Sequence, residues 1–101
     1  MMADLTGMDD LAVYRFKLFV SGSTPRSARA IGNLRKICED CLDGRFTYEV
    51  IDVYQNPEAT GSLQIIATPT LVKLSPEPPR RIVGDLSDRR RVLAGLSIPL
   101  T

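Results

Sequence analysis

Between Tyr14 and Val53 the apolar spacing changes twice, from alternation to a helical period and back, and this constrains the fold more than any other feature of the chain. Tyr14 to Val20 places Phe16, Leu18 and Val20 on one face of an extended segment, while Phe19 makes the other face apolar too, so the spacing predicts a strand covered on both sides. Ser21-Gly22-Ser23 turns the chain. Thr24-Pro25 supplies a capping hydroxyl and then a proline at the first helical position, where its missing N–H is no loss. Ala28, Ile31, Leu34, Cys38 and Cys41 recur every three or four residues, predicting an amphipathic helix that ends near Asp43-Gly44. Phe46 to Val53 alternates and then becomes nearly continuously apolar, predicting a second strand. Strand, helix and strand within about forty residues make a βαβ unit, which pairs its strands in parallel through a right-handed crossover.

Beyond it, Asn56-Pro57 opens a second helical segment through Leu63, Ile65 and Ile66, weakened by Thr60-Gly61-Ser62. Ala67-Thr68-Pro69-Thr70 stops that segment, Thr70 to Leu74 reads as a third strand, and Pro69, entering a strand, is expected to be a cis-proline. Pro76-Glu77-Pro78-Pro79 is a rigid connector to a short fourth strand, Arg80 to Val83, and Gly84-Asp85-Leu86 is a turn. Ser87 is expected to cap a last helix with Val92, Leu93 and Leu96 as its apolar stripe, stopped by Ile98-Pro99. Residues 1–13 show no period and carry Asp4, Asp9 and Asp10; they are expected to form a flexible leader to a single domain over 14–101.

Several function classes are excluded by what the chain lacks. No apolar run is long enough to span a bilayer and no basic start precedes one, so no membrane partner and a cytoplasmic location are expected. The net charge is +1, and Asp85 and Asp88 interleave with Arg80-Arg81 and Arg89-Arg90-Arg91, so no nucleic-acid partner is expected. With no histidine and two cysteines, the usual general base is missing and a metal site is short of ligands; no cofactor and no metal are expected. Cys38-Glu39-Asp40-Cys41 has the spacing of a dithiol centre. It lies in the last helical turn, at the negative end of the dipole and beside two acids, which raises thiol pKa values and favours two small core residues. A thiol oxidoreductase using Cys38 and Cys41 is the alternative function.

The element order β-α-β-α-β-β-α with Pro69 before the third strand is that of an α/β, thioredoxin-like single domain. In thioredoxins the dithiol opens the first helix opposite the cis-proline, and here Thr24-Pro25-Arg26-Ser27 stands in its place. Tyr14 to Gly22, Thr24-Pro25 with Ser27 and Arg29, Val50-Ile51-Asp52-Val53, Asn56-Pro57, Ala67-Thr68-Pro69-Thr70-Leu71 with Lys73, and Arg80-Arg81-Ile82-Val83-Gly84-Asp85-Leu86-Ser87 together resemble the KaiB family of circadian-clock proteins over roughly residues 14–98.

The resemblance implies a non-catalytic regulator that binds the N-terminal ATPase ring of a KaiC-like protein, and thereby captures a KaiA-like protein and displaces a competing SasA-like histidine kinase. It also implies fold switching between a thioredoxin-like monomer and a tetrameric ground-state fold with a rebuilt second half. The monomer is expected here, because the last helix is locally coherent. By the same resemblance Arg29, Lys73, Arg80 and Arg81 match basic partner-binding positions. Thr47 and Glu49 lie on the ring-binding strand, where the cyanobacterial type has a small apolar residue and a lysine. Gly95 and Ser97 occupy fold-switch positions, Ser97 in place of an aspartate. These departures imply a KaiB homologue outside the core oscillator, paired with its own KaiC-like ATPase.

Overall fold

The computed structural model describes residues 12–58 and 67–98. Its elements are β1 (Tyr14–Val20), α1 (Pro25–Cys41), β2 (Phe46–Asp52), β3 (Thr70–Ser75), β4 (Arg80–Val83) and α2 (Arg89–Gly95). They build the expected α/β, thioredoxin-like fold around one four-stranded sheet of order β2-β1-β3-β4. β1 and β2 pair in parallel from Tyr14 opposite Phe46 to Val20 opposite Asp52, as a βαβ crossover requires. β3 and β4 are antiparallel additions on the other side of β1.

Alternation along β1 decides where the two cores lie. Phe16, Leu18 and Val20 face the helices and meet Ala30, Leu34 and Ile37 of α1 with Val92, Leu93 and Leu96 at α2. Phe19 faces the opposite side, where it packs with Ile51 and Val72. Of the expected helix over 56–66, Pro57 and Glu58 have 3₁₀ conformation; Leu63, Ile65 and Ile66 lie outside the described residues, as do residues 1–11 of the expected leader.

Two local expectations are corrected. The buried stripe of α1 is Ser27, Ala30, Leu34, Ile37 and Cys38; Ala28 is exposed, and Ile31 and Cys41 are only half-buried at its margin. The stripe is turned because Ser27 can be buried without loss: its N–H donates to the Thr24 hydroxyl oxygen at 3.1 Å, and that hydroxyl donates to the Ser27 oxygen at 2.9 Å. The cap of α2 is Asp88 rather than Ser87. Ser87 is engaged one turn earlier, where its N–H donates to Asp85 Oδ1 at 3.1 Å, leaving Asp88 Oδ1 to accept from the Arg91 N–H at 3.2 Å. Asp88→Ala is therefore expected to cost about 1 kcal/mol, read as a lower urea midpoint at unchanged slope, with a smaller effect from Ser87→Ala.

The far end of α2 shows why Gly95 and the residues after it matter. A Cβ on Gly95 would stand 3.1 Å from Ile82 Cδ1, so the glycine lets the helix lie close against β4. Ser97 then adopts φ +57, its N–H bonding Ala94 O at 3.2 Å, and the Ile98 N–H bonds Leu93 O at 2.8 Å. This is a Schellman close, completed by the burial of Ile98 and Leu93. A serine at its left-handed position is strained where a glycine is not. Ser97→Gly is expected to stabilise this form by about 0.5–1 kcal/mol, measured by the same unfolding assay.

Candidate functional site

The βαβ unit leaves β2 as a seven-residue edge strand, with one side of its backbone unpaired among the described residues. Register places Arg15 opposite Thr47 and Lys17 opposite Glu49 on the sheet face away from α1 and α2, which is open to solvent at this end of the strands and buried at the Phe19 end. Thr47, Glu49 and Arg15 are exposed and Lys17 half-buried. Although Lys17 and Glu49 are cross-strand neighbours, neither enters an ion pair among the described residues. On the far edge of the same face lies Arg81, opposite Val72 of β3. Three strand spacings separate the two edges, roughly 14 Å.

Lys73 and Arg80 are directly opposite one another and share the face of Phe16, the helix side. Lys73 is only 1% exposed, with its ammonium 5.8 Å from the Tyr14 ring centroid. Burial, and then the Arg80 charge, lower its pKa, against a weaker opposite pull from Glu77. Arg80 is exposed and its Nε donates to the Ser97 hydroxyl at 3.4 Å, which joins a basic position to the close of α2. Arg29 stands apart on α1 with Asp85 Oδ2 at 3.3 Å. The Ser87 hydroxyl and N–H, ahead of Arg29, hold the Asp85 carboxyl below its usual pKa.

The six basic and β2 positions singled out in the sequence thus fall into three places: Thr47, Glu49 and Arg81 on the open face, Lys73 with Arg80 on the helix face, and Arg29 on α1. Sequence reasoning passed over Arg15, Lys17 and Leu74, which complete the open face. The signal for the first two was present in the polar positions that alternate with Phe16 and Leu18. Leu74 had none, because it is the extra residue where the register slips between Arg15–Ser75 and Phe16–Lys73.

At the other end of the sheet the Thr68–Pro69 peptide is cis, and the Thr68 hydroxyl donates to the Ser21 hydroxyl at 2.9 Å. The thioredoxin dithiol position beside it carries Thr24, Pro25, Arg26 and Ser27. Cys38 and Cys41 are free, Cys38 buried and Cys41 half-buried. Burial first, then Cys41 and Glu39, push the Cys38 thiol up to about 12. Such a thiol is a poor nucleophile at neutral pH. Among the described residues no cluster of three or more acidic, cysteine or histidine side chains is placed to hold a metal ion.

Residues 17–98 match the KaiB domain. The circadian clock oscillator protein KaiB of Prochlorococcus marinus (strain MIT 9313) is 50% identical over 91 residues, covering 90% of this chain and 76% of its own length. That of Parasynechococcus marenigrum (strain WH8102) is also 50% identical over 91 residues, covering 90% and 88%. Among solved structures, the N-terminal domain of Synechococcus elongatus SasA superposes with a TM-score of 0.69 at 23% identity over 85% of both chains. Mitochondrial thioredoxin 3 of Saccharomyces cerevisiae gives 0.66 at 13% identity, covering 95% of this chain and 88% of its own. At those identities the structural likeness concerns the fold.

Proposed function

Because this chain belongs to the KaiB family of circadian-clock proteins, we propose that it is a non-catalytic regulatory protein whose thioredoxin-like form binds the ATPase ring of a KaiC-family partner. The observation that carries this reading is a family match over most of the chain on a thioredoxin scaffold whose dithiol position holds no cysteine. The only two cysteines lie at the opposite end of α1, one of them buried with a raised pKa. The N-terminal domain of SasA shares the fold, and a SasA-like histidine kinase carrying such a domain is the natural competitor for the ring; a KaiA-like protein is the second candidate. The protein's place of action is the cytoplasm; among the described residues no helix is long and apolar enough to cross a membrane.

The ring-facing surface is built from Thr47 and Glu49 on the open face, extended by Arg81, with Arg80 and Arg29 at its margins. Lys73 is buried in this arrangement and contributes through the strand it anchors. Glu49, directly opposite Lys17, selects a ring with a basic counterpart, which suits a KaiB homologue outside the core oscillator. The monomer exchanges with a tetrameric ground-state form rebuilt after β2, and Gly95 and Ser97 bias the choice: one sets the approach of α2 to β4 and the other bears the strained close.

The test is a pull-down with the KaiC-like ATPase encoded in the same genome, in its ATP-bound and ADP-bound states. Wild-type protein is expected to be retained, and Glu49→Lys to weaken retention at least tenfold. Failure to bind in either state, together with disulfide reduction that disappears in a Cys38→Ser, Cys41→Ser double variant, would replace this reading with the oxidoreductase one.

A further inference from the structure

The lower half of the open sheet face is a groove rather than a plane. One cavity of about 220 Å³ is lined by Arg15, Lys17, Thr47, Glu49 and Leu74, with Phe16 and Tyr48 behind them. A second of about 550 Å³ continues across β3 to Pro79, Arg80 and Arg81. The two share Leu74, which the β-bulge in β3 leaves half-buried at the centre of the floor. The rim is basic: Arg15 and Lys17 on β1 and Arg81 on β4 share this face, and Glu49 is the one carboxylate among the residues that line the two cavities. Among the described residues Arg15 and Lys17 have no acidic partner within 4 Å.

An apolar floor with a cationic rim matches an extended segment that alternates acidic side chains with one aliphatic anchor. We propose that this groove, with Arg15, Lys17 and Leu74 as its main contacts, binds an acidic peptide segment of a partner protein, whose aliphatic residue seats on Leu74 while its carboxylates lie against Arg15 and Lys17. The proposal rests on the ring-binding reading and deepens it: the segment belongs to the ATPase subunit that meets β2. Glu49 at the groove's β2 end sets the direction of entry, because it repels the carboxylates that the β1 cations attract and takes the ring's basic counterpart beyond the acidic segment. The two cavities together make room for an anchor and its neighbours.

The test titrates isotopically labelled protein with the capped peptide acetyl-Glu-Asp-Leu-Glu-Asp-amide and with its charge-inverted form, acetyl-Lys-Arg-Leu-Lys-Arg-amide. The acidic peptide is expected to shift the amides of Arg15, Lys17, Thr47, Glu49 and Leu74, and Arg15→Glu with Lys17→Glu to weaken it at least tenfold while shifts elsewhere stay native. Equal shifts from the basic peptide, shifts confined to the helices, or stronger shifts of the same amides by a single-stranded oligonucleotide would overturn the assignment. The same double variant is expected to lose at least tenfold in ring affinity. Unchanged ring binding alongside lost peptide binding would overturn the ring as occupant. A ring that fails to bind wild type would refute the function proposed above, and the peptide mapping would still decide the groove.

Discussion

Phe19→Ala is expected to cost about 3–5 kcal/mol, enough to leave a domain of this size marginally folded or unfolded at room temperature. Phe19 is fully buried in the central strand, and it supplies the sheet's second face with its largest side chain, packed on Ile51 and Val72 and reached by Val53 and Leu74. Truncation removes those contacts at once, and strands paired on both sides of β1 cannot close the space without losing register. Urea unfolding should show a large fall in midpoint at constant slope. Tyr54→Ala, at a side chain 78% exposed, should stay within about 0.5 kcal/mol. A Phe19→Ala protein as stable as wild type would mean that this second buried cluster contributes nothing.

Lys73→Met is expected to stabilise the thioredoxin-like form by about 1–3 kcal/mol at neutral pH, because it keeps the length of the side chain and removes a buried charge that sits opposite Arg80. The contact with the Tyr14 ring returns only part of the desolvation cost. The pH dependence has a definite sign. Since folding lowers the lysine pKa, the unfolded chain binds more protons between the lowered folded value and the ordinary value near 10.5, so wild-type stability rises with pH across that window. At lower pH the cost is present in full. The advantage of the Met variant should therefore be constant near neutrality and shrink as pH climbs toward 10.5, which paired unfolding curves at several pH values would read. An advantage that grew with pH would contradict the assignment.

The parts of the fold that could be read from the chain are those where one residue type has one physical use. Thr24-Pro25 starts a helix wherever it is followed by a helical period, and the Phe16-Leu18-Val20 alternation with Phe19 behind it demands a strand covered on both faces. β4 falls on Arg80 to Val83 as expected, because proline on one side and glycine on the other leave little freedom. Errors arose where a residue's partner was not yet visible. Ser27 looks like a surface serine until the Thr24 hydroxyl satisfies it, and that mistake turned the α1 stripe toward Ala28. Ser87 looks like the cap until Asp85 engages it. Asp40 and Arg89, 2.8 Å apart, are joined only by the packing of the two helices.

The site was less legible than the fold for the same reason. Lys73 matches a basic position in the chain, but its burial depends on Tyr14 and on the strand that brings Arg80 opposite, neither of which sequence spacing reveals. The groove depends on a bulge in β3, and a one-residue slip has no sequence signature here. Glu49, by contrast, was singled out in the sequence, and the structure sets it on an exposed edge strand facing Lys17, where a change of sign alters what the surface attracts without altering the core.

In the function proposed above, the thioredoxin-like form meets a KaiC-family ring through β2 and the exposed sheet face beside it. Hydrogen exchange of this protein alone and in complex with that ring is the measurement that tests this, because one edge of β2 is unpaired among the described residues and a partner strand there would protect its amides. New protection is expected within Phe46–Asp52, with the amides of α1 and α2 exchanging as in the free protein. A stable complex with protection confined to the two helices, and β2 unchanged, would contradict it.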